Sequence, residues 1–288
     1  MSDPGLLRIG ELSRRSGVSA ELLRAWERRY RLLRPTRSAG GLRLYSPDDL
    51  ERVRAMQHHL ARGLAAAEAA ALATEAASME DVGTSLSEAK RELSAALADF
   101  DEARAQAVFD GLLATATVDM VLASVLMPYL HELGARWKNG EASVAQEHFA
   151  SSVLRGRLLG LARGWGRGLG PRIVLACAPG EQHDMGLLAF GLALRARGWR
   201  IVYLGSDTPL SSVADAAHAA DAVLVVVSAV SGKRFRAHED ELRELARTQR
   251  VCLGGAGAAE AKLDSDVQIL SGGPVEEAER LTSLLAPL

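Results

Sequence analysis

His183 is the residue whose type and surroundings first indicate chemistry. It follows the apolar segment 172–177, two residues after Glu181 and three residues before Gly186. An imidazole can bind a metal through one ring nitrogen while a carboxylate holds the other nitrogen and fixes the ring. In an open α/β sheet, ligands bind in the loops at the carboxyl ends of the strands. The pattern predicts a one-histidine site for a metal or a metal-containing cofactor; the alternative is an ordinary polar loop residue.

Small residues recur at the ends of the next predicted strands. Ser228 lies in the apolar segment 222–230, with forty-one residues between it and Gly186, and a third strand ends at Gly254 and Gly255. A nucleotide tail that threads beside a sheet needs a close backbone approach, which a Cβ atom would obstruct. The arrangement resembles the cobalamin-binding Rossmann-like domain, whose motif is Asp-x-His-x-x-Gly, then Ser-x-Leu at a similar distance, then Gly-Gly.

This resemblance implies a role for each matching residue. His183 would be the lower axial ligand of cobalt, while Ser228 and the two glycines would line the slot for the detached nucleotide tail. Glu181 stands where the family has aspartate, and its longer arm can still reach the imidazole. Val230 stands where the family has leucine, and the interval from Val230 to Gly254 is a little short.

The composition is that of a globular chain with several domains. The 288 residues are 48% hydrophobic and 24% charged, with a formal net charge of −2, and they suffice for two or three cores. Residues 1–62 contain thirteen Lys and Arg against seven Asp and Glu, so basic charge is concentrated at the amino end.

Neither the apolar runs nor the first residues indicate a membrane or secreted protein. No apolar run reaches the length of a membrane span, and residues 1–4 lack the pattern of a secretory signal. We therefore predict a cytoplasmic protein without a membrane partner. Cys177 and Cys252 are predicted to be small core residues, because two cysteines in a chain of this size do not make a disulfide framework.

The amino-terminal part has the pattern of a winged helix-turn-helix. Two short helices are predicted around a turn at residues 16–18, and Ser19 is a good N-cap for the second helix. This second helix places Arg24, Arg28 and Arg29 beside Trp26, as a recognition helix for the major groove would. A hairpin-like stretch with Gly-Gly at its tip follows, and another helix begins at Ser46.

The segments 8–12, 23–30 and 41–46 resemble the MerR family of winged helix-turn-helix regulators, over about seventy residues. A solvated helix face is the alternative for any single arginine, but it does not account for the ordered combination of turn, helix, wing and charge. The resemblance implies binding to double-stranded promoter DNA. The candidate DNA-binding residues are Arg24, Arg28, Tyr30, Arg37, Arg43 and Tyr45.

A helical bundle is predicted between the two outer domains, with a linker at 78–85 before it and a glycine-rich boundary at 164–171 after it. Within it, nine residues separate Trp137 from the pair Glu147 and His148. Taken alone, the tryptophan would be a core residue and the acid-histidine pair an exposed helix face.

The same three segments, in the same order, resemble the adenosylcobalamin-dependent photoreceptor group of MerR regulators, the CarH and LitR group. This resemblance implies that Trp137 packs over the 5′-deoxyadenosyl group and that Glu147 contacts it, with His148 at the same site. In the group, a histidine directly after the tryptophan binds cobalt once light has expelled the adenosyl group. Lys138 stands there in this chain, and His131 lies upstream on a different part of the helix, so it is not assumed to be a substitute. Lysine is a poor cobalt ligand unless burial lowers its pKa.

These observations predict a multidomain protein: a winged helix-turn-helix at 1–77, a four-helix bundle at 78–166 and a Rossmann-like α/β cobalamin-binding domain at 167–288. We expect a light-responsive repressor with no catalytic residues, using adenosylcobalamin and its cobalt as chromophore, and acting as a homo-oligomer, either a dimer or a tetramer. Three alternatives are a cobalamin sensor that does not use light, a regulator whose cobalamin fold is only architectural and is controlled by a partner protein, and an enzyme of the corrinoid-carrier or mutase class.

Overall fold

The computed structural model describes residues 5–38, 40–261 and 267–285. The chain divides into two compact units, Met1–Ser85 and Leu86–Leu288. The outer ends of the predicted domains, 1–4 and 286–288, lie outside the described residues.

The first unit is a small helical domain with a two-stranded antiparallel wing. Gly17, with φ 73°, ends its first helix in the left-handed conformation that a residue with a Cβ disfavours. Ser19 caps the second helix by accepting a hydrogen bond from the Leu22 N–H, and Ser46 and Asp49 form a capping box on the third. The elements are α1 (Ile9–Ser16), α2 (Ala20–Tyr30), β1 (Thr36–Arg37), β2 (Arg43–Leu44) and α3 (Pro47–Ala61).

A buried ion pair fixes α3 to the segment that follows α2. The Asp49 carboxylate accepts from the Arg34 backbone N–H at 2.9 Å and from the Arg52 guanidinium at 2.6 Å. Arg52 also donates through Nε to the Leu32 carbonyl at 3.0 Å, so both charges are satisfied where they are buried. Trp26 packs into the same core. Its side chain therefore anchors α2 to this core.

A long helix, α4 (Ala66–Ala98), includes the segment 78–85 that we predicted to be a linker. The backbone of this segment is helical, because the surrounding sequence is rich in Ala, Leu and Glu, which favour helix. The division between the two compact units falls at its end, after Ser85. The expected boundary after residue 77 therefore falls inside a helix.

The second unit begins with a helical bundle formed by the later part of α4 and three further helical segments. Its core contains Leu93, Phe109, Leu126 and Leu154, all buried. One segment changes from α to π geometry and back, at Leu122–Leu126. The segments are α5 (Glu102–Thr115), α6 (Val118–Val121) continuing through the π turn into α7 (Met127–Lys138), and α8 (Val144–Leu161).

An α/β domain completes the second unit. All five strands of its sheet are parallel, in the order β4-β3-β5-β6-β7. The order reverses between β3 and β5, and such a switch point is where open α/β sheets bind ligands. The elements are β3 (Arg172–Cys177), α9 (Met185–Ala196), β4 (Arg200–Gly205), α10 (Leu210–Ala219), β5 (Leu224–Ser228), α11 (Gly232–Ala237), α12 (Glu239–Thr248), β6 (Val251–Gly254), β7 (Gln268–Ile269) and α13 (Pro274–Leu285).

Helices cover both faces of this sheet. Alternate residues of β3, such as Val174 and Ala176, pack with α10 and α12, while Ile173 and Leu175 pack with α9 and with the bundle. The bundle and one face of the sheet therefore share a continuous core. Both cysteines are buried and free. Among the described residues, no helix combines the length and the apolar character needed to cross a bilayer.

Candidate functional site

The loop between β3 and α9 presents the His183 imidazole to solvent and holds it from one side. The Nδ1 atom lies 2.6 Å from Glu181 Oε1, and because a carboxylate only accepts, Nδ1 carries the proton. The same oxygen accepts from the His183 backbone N–H at 2.9 Å. The His183 side chain is 73% exposed and that of Glu181 is 3% exposed. This geometry leaves Nε2 free to bind a metal.

A second strand end also binds the Glu181 carboxylate. Its Oε2 atom accepts from the Val230 N–H at 2.9 Å, so the loop after β5 is tied to the loop after β3. Burial acts to raise the pKa of Glu181, but the hydrogen bonds from the His183 and Val230 backbones and from the His183 side chain lower it below the ordinary value. The carboxylate is therefore charged at neutral pH and orients the imidazole.

The loop after β4 supports the same region from its other side. Asp207 accepts from the Gly180 N–H at 2.6 Å, and its own N–H donates to the Glu181 carbonyl at 2.8 Å. The backbone around the histidine is therefore held from two neighbouring loops.

The predicted slot residues lie together at the carboxyl ends of adjacent strands. Cys177 is in register with Ser228, and Ser228 with Gly254. Gly255 has φ 82°, and a Cβ there would lie 2.5 Å from the Ala229 carbonyl oxygen and 2.9 Å from Ser228 Oγ. The fold itself therefore requires glycine at 255.

The other two candidate glycines are not required by protein packing. A Cβ at Gly254 would meet Val226 at an ordinary 3.6 Å, and one at Gly186 would meet nothing within 4 Å. Gly186 lies in the first turn of α9, three residues after His183. Because it has no side chain, the space that a Cβ would occupy there stays open.

The donor set fits cobalamin. A corrin supplies most of the ligands of its own metal, so a single imidazole beside small residues would be enough for the protein to hold it. His183 Nε2 is such a ligand, and its carboxylate partner is present at hydrogen-bonding distance. The residue types and spacing at 181, 183, 186, 228, 254 and 255 are therefore compatible with the group.

On the bundle side, the turn between α7 and α8 places the second predicted motif. α7 ends at Lys138, Gly140 has φ 75°, and Ser143 forms a capping box with Gln146 at the start of α8. Trp137 is 49% exposed, although it is large and apolar. Lys138 and His131 are also exposed, so the environment of Lys138 is not the buried one in which lysine becomes a metal ligand.

The Glu147 side chain is half-buried on α8 and forms its own carboxylate–imidazole pair. It accepts from His148 Nδ1 at 2.6 Å and from Ser151 Oγ at 2.6 Å. Burial acts to raise the pKa of Glu147, but these two hydrogen bonds, the charge of His148 and the field of His183 together lower it. The structure thus brings Glu147 within electrostatic reach of His183.

The sequence did not reveal a contact between α8 and the loop that presents His183. Asp184, directly after His183 and buried, accepts from Arg155 Nε at 2.9 and 3.1 Å and from Arg155 Nη2 at 2.7 Å. Tyr203 of β4 donates to the same carboxylate at 2.7 Å, and burial and Asp184 raise the pKa of Tyr203. The one available signal was an acid adjacent to the histidine, which does not identify its partners.

The candidate DNA-binding residues of the first unit differ in exposure. Arg24, Arg28 and Arg37 are exposed. Tyr30 is half-buried, with the Arg29 guanidinium 5.6 Å from its ring centre. These side chains lie on α2 and on the wing, as the sequence pattern predicted.

Tyr45 lies inside the first unit, in contrast to the arginines. It is 1% exposed, and its hydroxyl donates to Glu27 at 2.9 Å; burial and this acid raise the pKa of Tyr45 to about 12. Glu27 in turn lies 3.1 Å from Arg43 Nε. Tyr45 therefore positions an acid that holds Arg43, a wing arginine with half of its side chain exposed.

Three family models match the chain. Residues 7–76 match the MerR HTH family regulatory protein model, and residues 89–159 and 171–282 match two B12 binding domain models. The three matched segments fall on the three parts described above.

Two transcriptional repressors resemble the chain over most of its length. The HTH-type transcriptional repressor CarH of Myxococcus xanthus is 35% identical over 266 residues, covering 87% of this chain and 89% of CarH. CarA of the same organism is 34% identical, covering 88% of each. The HTH-type transcriptional regulator MlrA of Escherichia coli is 39% identical over 59 residues, or 20% of this chain.

A solved structure shares the fold. The monomethylamine corrinoid protein of Methanosarcina barkeri aligns with a TM-score of 0.55 at 18% identity, over 67% of this chain and 96% of that protein.

Proposed function

Because this chain belongs to the family of MerR-type transcriptional regulators with cobalamin-binding domains that includes CarH and CarA, we propose that it represses transcription with adenosylcobalamin as a light-sensitive cofactor. It is a DNA-binding regulator with a MerR helix-turn-helix and cobalamin-binding domains. The observation that most supports the proposal is the exposed His183 imidazole held through Nδ1 by Glu181.

The α/β domain supplies the lower side of the proposed site. His183 Nε2 binds the metal, Glu181 fixes the ring, and Gly186 leaves room beside it. Ser228, Gly254 and Gly255 line the slot that receives the detached nucleotide tail. Adenosylcobalamin, when bound, supplies a cobalt–carbon bond that visible light can break.

The bundle supplies the upper side. Trp137 packs its indole over the apolar part of the adenosyl group and excludes water, which accounts for a large apolar side chain with 49% exposure in the protein alone. Glu147 accepts hydrogen bonds from the ribose hydroxyls, and its lowered pKa keeps it charged for that purpose. His148 completes the same surface.

Assembly links cofactor binding to repression in this proposal. α8 and the loop of His183 would hold the corrin between them, and this joined arrangement of the second unit would favour a homo-oligomer. Several winged domains joined in one assembly bind promoter DNA far more tightly than one does. Arg24, Arg28, Arg37 and Arg43 contact the DNA, Tyr30 lies beside them, and Tyr45 holds Arg43 through Glu27. The protein is not an enzyme under this proposal.

One observation favours a second candidate, a cobalamin sensor that does not use light. Lys138 stands where the photoreceptor group has the histidine that binds cobalt after illumination, and it is exposed. Without that second imidazole, position 138 would supply no ligand to hold the cofactor after illumination. The presence or chemical form of the cofactor then controls repression.

A DNA-binding assay separates the two candidates. A fragment containing the promoter next to the protein's own gene is titrated with protein, with and without adenosylcobalamin, in darkness and after green light. We expect tight binding only with the cofactor in darkness. Cofactor-dependent binding that survives illumination would support the sensor, and binding that ignores the cofactor would contradict both.

A further inference from the structure

The short helix α11, directly after the β5 loop, contains three basic residues that differ in their partners. Arg236 donates to the Glu260 carbonyl at 3.2 Å. The side chains of Lys233 and Arg234 are exposed and make no hydrogen bond or ion pair within the part of the chain that the structure describes. Two cationic side chains are therefore available for a ligand.

Arg234 differs from Lys233 because it lies against the loop between β3 and α9, which presents His183. A Cβ built on Gly180 would lie 2.4 Å from Arg234 Nη1 and 3.0 Å from its Cζ. Gly180 also has φ 76°, a left-handed conformation that favours glycine. The guanidinium thus rests on the residue next to Glu181.

The surroundings of Arg234 connect the two parts of the proposed lower site. Val230, four residues before Arg234, donates to the carboxylate that holds His183. Ser228, at the end of β5, is in register with Gly254 at the end of β6. Arg234 therefore lies beside the loop that presents His183, in the helix that begins four residues after Ser228.

The chemistry of the tail suggests what Arg234 binds. The periphery of cobalamin consists of neutral amides except for one phosphodiester, which lies in the nucleotide tail. A guanidinium offers two parallel N–H donors to two phosphate oxygens, a geometry that lysine lacks. We propose that Arg234 binds this phosphodiester, so that the protein selects complete cobalamins over corrinoids that lack the nucleotide. This inference rests on the proposed function.

The test compares two probes in darkness, adenosylcobalamin and adenosylcobinamide, which lacks the nucleotide tail and its phosphate. Dissociation constants are measured for the full chain, Arg234→Gln, Arg234→Lys and the control Lys233→Gln. We expect Arg234→Gln to weaken adenosylcobalamin binding roughly tenfold, as loss of one charge-assisted contact does, and to leave adenosylcobinamide binding within about twofold. Arg234→Lys should retain part of the preference, and Lys233→Gln should retain all of it.

Three outcomes would overturn the inference. An equal loss for both probes would assign Arg234 to loop structure, and an unchanged adenosylcobalamin affinity would remove its role. A wild-type chain that binds neither probe would refute the proposed function itself, which separates that failure from the other two. Thermal unfolding midpoints establish whether each variant is folded. If Arg234→Gln does not fold, the comparison of the two probes with Arg234→Lys still tests the inference.

Discussion

The Glu181 carboxylate makes three hydrogen bonds, and all three act on the loop that presents His183. The sequence was sufficient to pair these two residues, because a carboxylate two positions from a loop histidine can reach its ring. It could not reveal the bond to Val230, since that contact depends on β3 and β5 being neighbours in the sheet. The longer arm of glutamate is what reaches both partners.

Glu181→Gln should weaken cobalamin binding by about tenfold to a hundredfold, as loss of a partner that orients a metal ligand does. The amide has one acceptor oxygen in place of two, so at least one of the three present donors loses its acceptor. Titration of adenosylcobalamin by absorbance in darkness measures the effect. Gln182→Ala, an exposed neighbour, is the control; equal affinities for wild type and Glu181→Gln would show that the carboxylate does not orient the ligand.

A second prediction for single residues concerns the reactivity of the two buried cysteines. Burial raises the pKa of Cys177 to about 12 and that of Cys252 to about 11, so both thiols stay protonated at pH 8. We expect a thiol-specific chromogenic disulfide reagent to modify neither in the native protein and both in denaturant. Rapid modification of the native chain would contradict the burial described.

At the scale of elements, one ion pair joins α8 to the start of α9. Asp184 is almost fully buried, and Arg155 and Tyr203 are its partners from α8 and β4. The helix that contains Glu147 is thereby fixed to the loop that contains His183. Neither partner was predictable from sequence, because both are distant along the chain and neither belongs to a recognisable motif.

Arg155→Ala should lower the free energy of unfolding by about 2 kcal/mol, because it leaves the buried Asp184 carboxylate with Tyr203 as its remaining side-chain partner. Urea unfolding followed by circular dichroism measures the change. The matched control is Arg91→Ala, whose exposed pair with Glu88 at 3.9 Å should contribute less than about 0.5 kcal/mol. Equal effects of the two substitutions would show that the Asp184 contact does not stabilise the fold.

The recognition helix α2 gives another prediction at this scale. Arg28→Ala should weaken DNA binding and, if the side chain contacts a phosphate, should reduce the slope of log affinity against log salt by about one. A fluorescence titration of a promoter fragment at several salt concentrations measures both. Arg247→Ala on α12, exposed and paired with Glu244, serves as the control. An unchanged slope together with unchanged affinity would remove Arg28 from the interface.

For the whole molecule, the order of the three parts was predictable because each has motifs that tolerate little change in spacing. The boundaries between these parts were less predictable from the sequence. The segment 78–85 contains serine and glycine, which suit a linker or an exposed helix equally, and α4 resolves the choice. Tyr45 belongs to a wing motif, but sequence alone could not show that its ring points into the core. Burial of this kind is decided by contacts between distant residues.

The most direct test of the account is the visible spectrum of the protein after mixing with adenosylcobalamin and desalting in darkness, for wild type and His183→Ala, before and after green light. We expect wild type to retain the corrin with an imidazole as its lower ligand, and to change irreversibly on illumination. His183→Ala should emerge nearly colourless. A colourless wild type, or a variant that retains the corrin equally well, would contradict the central claim that His183 holds the cofactor.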